Sequence, residues 1–245
     1  KWAYPTGTGS SYPHAVASDG TIYTGLSLAS GYGFGAIDQF GKLKWQFDME
    51  SRVQIPPVIG TNGTVYVVVS NYIYAFDSVG TLKWRYSHAT AFVSDGAAGS
   101  LGDIYIAVRG SNEMPAIVSI SEKGELSWTY QLDTFDVSAL ALDNREGVIV
   151  HGVNGVMYSI SNKGQLNWRY SVESGIAQTA VLDAEGNIYF GAKNNYFYAI
   201  DAKGALIWKY LLNAEVSGTP AITENERIYI PSDDATLSVL STLGD

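Results

Sequence analysis

Apolar residues along this chain fall in runs of four to six, set apart by clusters of glycine, aspartate and asparagine, and the order of runs and turns recurs. The clearest stretch reads Ala177-Gln-Thr-Ala-Val-Leu182, Asn187-Ile-Tyr-Phe-Gly191, Tyr196-Phe-Tyr-Ala-Ile200 and Ala205-Leu-Ile-Trp-Lys-Tyr210. Its turn clusters are Asp183-Ala-Glu-Gly186 and Asp201-Ala-Lys-Gly204. Runs of this length, rich in β-branched and aromatic residues and bounded by turn formers, predict strands joined by hairpins. No amphipathic helical stretch is present.

The same four runs can be laid over the whole chain. The second recurs as Thr21-Ile-Tyr23, Thr64-Val-Tyr66, Asp103-Ile-Tyr105, Val148-Ile-Val150, Asn187-Ile-Tyr189 and Arg227-Ile-Tyr229. The fourth carries the phrase Gly-x-Leu-x-Trp, with Trp45, Trp84, Trp128, Trp168 and Trp208, and Trp2 stands in a truncated copy at the start. These tryptophans are spaced by 43, 39, 44, 40 and 40 residues. A period near 40 with four strands per unit predicts an all-β, six-bladed β-propeller of four-stranded antiparallel blades, one domain over residues 1–245. The last unit stops where its fourth strand should begin, and Lys1-Trp2-Ala3-Tyr4 reads as that strand without a blade before it. The N-terminal strand is therefore expected to pair onto the last blade and close the ring, leaving no long sheet edge. A tryptophan that recurs in every unit is expected to be architectural, burying its ring against the next blade while its N–H finds a carbonyl. Tyr23, Tyr66, Tyr105, Tyr189 and Tyr229 are read the same way.

The stretch Tyr198-Ala-Ile-Asp-Ala-Lys-Gly-Ala-Leu-Ile-Trp-Lys-Tyr210 resembles the repeat of pyrroloquinoline-quinone-like propellers, in its six-bladed, non-dehydrogenase branch. The resemblance extends over essentially the whole chain and implies fold more than function. The family holds quinoprotein dehydrogenases, an outer-membrane assembly scaffold and extracytoplasmic sensor domains. The dehydrogenases use a vicinal cysteine pair beside the quinone, and this chain has no cysteine. No quinone or other cofactor is therefore expected.

Composition narrows the partners. A formal charge of −9, from 15 basic and 24 acidic residues, disfavours nucleic acid and anionic lipid surfaces. No apolar run is long enough to cross a bilayer as a helix. The start at Lys1 and the lack of cysteine fit an extracytoplasmic (periplasmic or secreted) bacterial protein, a monomer or one domain of a larger chain.

Propeller topology places the lead-in loop of each blade at the same end as the turn between its second and third strands. Two insertions, Ser27-Leu-Ala-Ser-Gly-Tyr-Gly-Phe-Gly35 and Arg109-Gly-Ser-Asn-Glu-Met-Pro115, elaborate that end. Variable loops on a rigid scaffold are where binding sites are usually built. The candidate ligand-binding residues there are Tyr12, His14, Tyr32, Phe34, Arg52, Gln54, Asp95, Arg109, Asp136, Gln178 and Lys193. His14, His88 and His151 lack metal-ligand spacing, and no nucleophile elbow, phosphate loop or dinucleotide fingerprint occurs, so neither a metal nor a catalytic residue is assigned. The expected function is a non-catalytic binding or scaffold module that presents this end to a protein or cell-envelope partner. The alternative is a carbohydrate-binding or polysaccharide-cleaving propeller, with Tyr12, Phe92, Phe135 and Tyr196 stacking on sugars at the channel mouth and an acidic pair supplying the chemistry.

Overall fold

The structure, a computed structural model, describes residues 1–7, 13–110, 114–134, 136–177 and 179–245. All regular elements among them are β-strands. They form six antiparallel sheets of three or four strands in sequence order, the blade type of a β-propeller. The first sheet holds His14–Val16, Ile22–Leu28, Gly31–Ile37 and Leu43–Met49. The fifth holds Val181–Leu182, Ile188–Gly191, Tyr196–Ile200 and Leu206–Leu211.

Burial explains the runs. The second and third strands are covered on both faces, so Val65–Val69 and Ile104–Val108 are apolar without alternation and almost wholly buried. The fourth strands alternate between half-buried and exposed positions, as in Leu82–Ser87, because only one face is covered. The first three sheets and the last three form two compact units. Within the first unit, Tyr23, Phe34 and Ala36 of one sheet pack on Val65, Val67 and Phe76 of the next. Tyr66, Ile73 and Ala75 then pack on Ile104, Ile106 and Val118. In the second unit Ile149 and Met157 meet Phe190 and Ile200, and Tyr189 and Phe197 meet Ile228 and Ile230. Each such side chain stabilises the fold by about 1.5–3 kcal/mol when fully buried.

The tryptophans are the rivets between neighbouring sheets. Trp45 Nε1 donates to the Ser78 carbonyl at 3.1 Å, Trp84 to Glu122 at 2.8 Å, Trp168 to Ala202 at 3.1 Å and Trp208 to Thr242 at 2.9 Å. Trp2 does the same with Gln39 at 2.8 Å. Every receiving carbonyl lies in the turn that follows the third strand of the next sheet along the chain. The turn is shaped by its first side chain: Asp77 Oδ1 accepts the N–H groups of Val79 and Thr81, Asp201 those of Lys203 and Ala205, and the Ser121 hydroxyl those of Lys123 and Glu125. These bonds favour the ionised carboxylate, so the Asp77 pKa lies below the usual range, chiefly through the Thr81 N–H. The phrase glycine closes the turn at positive φ, +90° at Gly80 and +82° at Gly124. A Cβ there would meet the docked indole at 2.6 and 2.8 Å. Glycine is needed for conformation and clearance together.

The sixth sheet, Ala221–Ile222, Arg227–Pro231 and Leu237–Ser241, has three strands. Residues 1–4, expected to form a strand, take no strand conformation. Trp2 docks as the repeat requires, while the strand that carries it in the other copies is not formed. Tyr229 is half-buried, unlike Tyr23, Tyr66, Tyr105 and Tyr189, which are at most 3% exposed. The glycine-rich insertion of the first blade is likewise not a loop. It extends the hairpin, so that Ile22–Leu28 and Gly31–Ile37 pair over seven residues each. A Cβ on Gly33 would lie 2.5 Å from Leu28 Cδ1, and one on Gly35 2.7 Å from Leu26 Cδ1 and from the Trp45 carbonyl. The glycines let two leucines lie flat over the sheet.

Candidate functional site

In five of the six sheets the lead-in segment and the hairpin between the second and third strands meet at one end, held by backbone hydrogen bonds. The turn N–H donates to the lead-in carbonyl in Ser27 to Thr6 (2.7 Å), Arg109 to Ala91 (3.0 Å), Val153 to Asp136 (3.2 Å), Lys193 to Gly175 (3.0 Å) and Asp233 to Glu215 (2.9 Å). A strap repeated this often gives the end a fixed backbone on which side chains can vary.

The candidates divide into three groups. Tyr12, Gln178 and Phe135 lie outside the described residues, as do positions 111–113 of the second insertion. Phe34 is wholly buried, its ring 5.8 Å from Trp45 and 5.9 Å from Phe76, and Phe92 is 7% exposed beside His88. Both were expected to face a ligand, and both belong to the core. Tyr32 and Phe34 share one face of the strand, but Phe34 lies on the stretch covered by Trp45 and Phe76, while Tyr32 lies at the exposed tip of the hairpin. The third group is accessible: His14, Tyr32, Gln54, Asp95, Arg109, Asp136 and Lys193 are exposed and Arg52 is half-buried. Tyr32, at 46% exposure, tips the extended hairpin beside the Ser30–Asp48 hydrogen bond. Asp95 is exposed as a residue, yet partial desolvation of its carboxyl raises its pKa above the usual carboxylate range. Asp136 is partly committed, since its carboxylate accepts the Val137 N–H at 2.9 Å.

His14 faces a groove of about 310 Å³ with Trp2, Tyr4, Thr6, Ile22 and Thr24. Its lining combines the apolar surfaces of Trp2, Tyr4 and Ile22 with one imidazole and two threonine hydroxyls. Among the described residues no group of three His, Asp or Glu side chains converges as metal ligands would.

Two clusters escaped the sequence reading. Glu50, at the start of a lead-in loop, accepts a hydrogen bond from the Tyr74 hydroxyl, and Arg85 lies 4.5 Å above the Tyr72 ring. In the fourth sheet Asp133 accepts from the Tyr158 hydroxyl and pairs with Arg169 at 3.5 Å, the guanidinium 5.9 Å from the Tyr158 ring. Burial, with the carboxylate second, pushes the Tyr158 phenol up to about 12. The signal was legible: a tyrosine on the third strand, an arginine eleven residues on and an acid 24 or 25 residues before recur in two repeats. The clusters anchor the start of each lead-in loop to the two strands it precedes. Tyr158→Phe, which keeps the ring and deletes the donor, is expected to lower stability by about 1 kcal/mol. Urea unfolding with the mutant indistinguishable from the parent would show that the cluster holds nothing.

The fold defines the class: a repeat protein built of propeller-type blades. Residues 2–134, 69–184 and 153–244 each match the family described as outer membrane protein assembly factor BamB, and the chain belongs to that family of PQQ-like repeats. The family includes protein-binding scaffold modules. No curated protein matches the chain. Among solved structures it is similar to the computationally designed Ika8 protein (16% identity, TM-score 0.74, covering 96% of this chain and 72% of that one). It is also similar to BBS1N in complex with ARL6DN (16%, 0.66, 93% and 76%) and to BamB from Moraxella catarrhalis (13%, 0.51, 92% and 83%). Identities this low speak for the fold alone.

Proposed function

We propose that this chain is a non-catalytic scaffold that binds a protein partner in the cell envelope through the end of its blades bearing the lead-in loops. The observation that carries the reading is the extended first-blade hairpin, which raises Tyr32 on a strapped, glycine-packed support at that end. A large amphipathic ring held on a rigid strand pair is the kind of anchor that binding surfaces concentrate on. Arg109, at the end of its strand, and Lys193, on a turn at the same end of its own blade, supply cations against a chain of net charge −9. Membership of a family described by outer membrane protein assembly supports both a protein partner and an extracytoplasmic location.

Tyr32→Ala and Arg109→Ala are expected to weaken partner capture from an envelope extract at least ten-fold, with the melting temperature within about 1 °C of the parent, since both side chains are exposed. Phe34→Ala serves as the contrast, because it empties core space and should lower stability by about 3–5 kcal/mol. Unchanged capture by the two exposed variants would overturn the assignment of this end.

A further inference from the structure

The opposite end of the blades, where first-to-second and third-to-fourth strand turns lie, carries a second surface. In five sheets the hairpin between the third and fourth strands is bulged, between Ala36/Ile37, Ala75/Phe76, Ser119/Ile120, Ser159/Ile160 and Ala199/Ile200. The unmatched residue on the fourth strand is Lys44, Lys83, Ser127, Asn167 or Ile207. In the first two sheets that lysine folds back over the sheet. Lys44 Nζ reaches the Thr21 hydroxyl at 3.0 Å and Asp19 at 3.7 Å, and Lys83 reaches the Thr64 hydroxyl at 2.9 Å. In the fifth sheet the same position is Ile207, 48% exposed.

The consequence is a groove of about 640 Å³ between the fifth and sixth sheets, inside one compact unit. Its apolar surface is Leu182, Ile207, Ile222 and Leu243. Its acids are Asp183, Glu185, Glu224 and Glu226, and no lysine or arginine lines it. Asp183 is held locally by Asn187 and the Tyr189 hydroxyl, while the three glutamates stand on exposed turn positions. The groove between the fourth and fifth sheets differs in kind, since its Asp143 is accompanied by Arg145 and Lys203. An exposed isoleucine at the position where the first two sheets carry a lysine gives this groove an apolar wall in place of a cation.

We propose that this groove binds an extended peptide segment in which basic and apolar residues alternate, a second contact site separate from the lead-in-loop end. Alternate side chains of an extended strand point to opposite sides, so leucine or valine residues would lie on Ile207, Ile222 and Leu243 while lysine or arginine residues meet the glutamates.

The test uses the full chain and fluorescence anisotropy with a fluorescein-labelled octapeptide alternating lysine and leucine. Peptides alternating lysine with serine and glutamate with leucine serve as comparators. The lysine–leucine peptide should bind at least ten-fold tighter than either, and tightness should fall as salt rises. Ile207→Lys, which installs at an exposed site the residue that the first two sheets carry there, should weaken binding at least ten-fold. Glu224→Gln and Glu226→Gln should each weaken it about three-fold, and Tyr32→Ala at the other end should leave it unchanged. Circular dichroism shows that each variant is folded. Equal binding of the lysine–serine peptide, affinity untouched by Ile207→Lys, or no binding of any peptide would each overturn the proposal.

Discussion

Trp84→Ala is expected to destabilise the protein by about 3–5 kcal/mol, which in a chain of this size lowers the melting temperature by roughly 10 °C. Three losses coincide. The ring is half-buried against the core formed by Tyr66, Ile104 and Val118, 5.8 Å from Tyr66; its N–H holds the Glu122 carbonyl; and it fills the space over Gly124. The partner residue gives the sharper test. Gly124→Ala alone should cost about 1–2 kcal/mol for an alanine at φ +82°, and more for the overlap of its Cβ with the indole. In the Trp84→Ala background the overlap is gone, so the same substitution should cost only the conformational part. A coupling of about 1 kcal/mol or more is expected from urea unfolding of the four proteins. Equal effects of Gly124→Ala in both backgrounds would mean that the glycine serves the turn alone and that the rivet is not a unit.

Why the fold was readable and the site only partly so follows from these residues. Trp84, Gly124 and Ser121 answer to one local geometry copied around the chain, so their spacing alone announces the blade and its neighbour. Phe34 and Tyr32 show the limit. Both stand in a glycine-rich stretch whose composition favours a loop, and the decisive fact is that Leu26 and Leu28 lie across Gly35 and Gly33, which no local pattern states. Residues 1–4 show another limit: they carry the docking tryptophan, yet take no strand conformation. The acid–tyrosine–arginine clusters were in the sequence at fixed spacing and went unread because each residue type taken singly is an ordinary surface choice. Ile207 is the reverse case, noticeable only once the bulge shows where Lys44 and Lys83 point.

His151 makes the second large expectation, and it concerns acid. The side chain on Val148–Gly152 is fully buried, its Nδ1 accepts the Ala180 N–H at 3.4 Å, and its Nε2 has no partner among the described residues. Its strand neighbours Ala139 and Met157 and the lead-in residue Ala180 bring no charge to it. Desolvation therefore lowers its pKa from the ordinary 6.5 to about 4. The unfolded chain binds a proton near pH 6.5 that the folded chain refuses until about pH 4, so stability rises with pH across that window and falls on acidification. The total is about 3 kcal/mol for this group. Protonation would also put a donor on Nδ1 opposite the Ala180 N–H, so the lead-in loop of the fifth blade should loosen first. His151→Met, similar in volume and without a charge to acquire, is expected to flatten the slope of unfolding free energy between pH 6.5 and 4. His88→Gln, at a residue whose ring bonds to Thr90 near the surface, should leave the slope intact. Denaturation by urea at half-unit pH steps measures both. A parent protein whose stability is level over this range, or a His151→Met variant with the parent's slope, would show that the imidazole is protonated in place and that its pocket admits the charge.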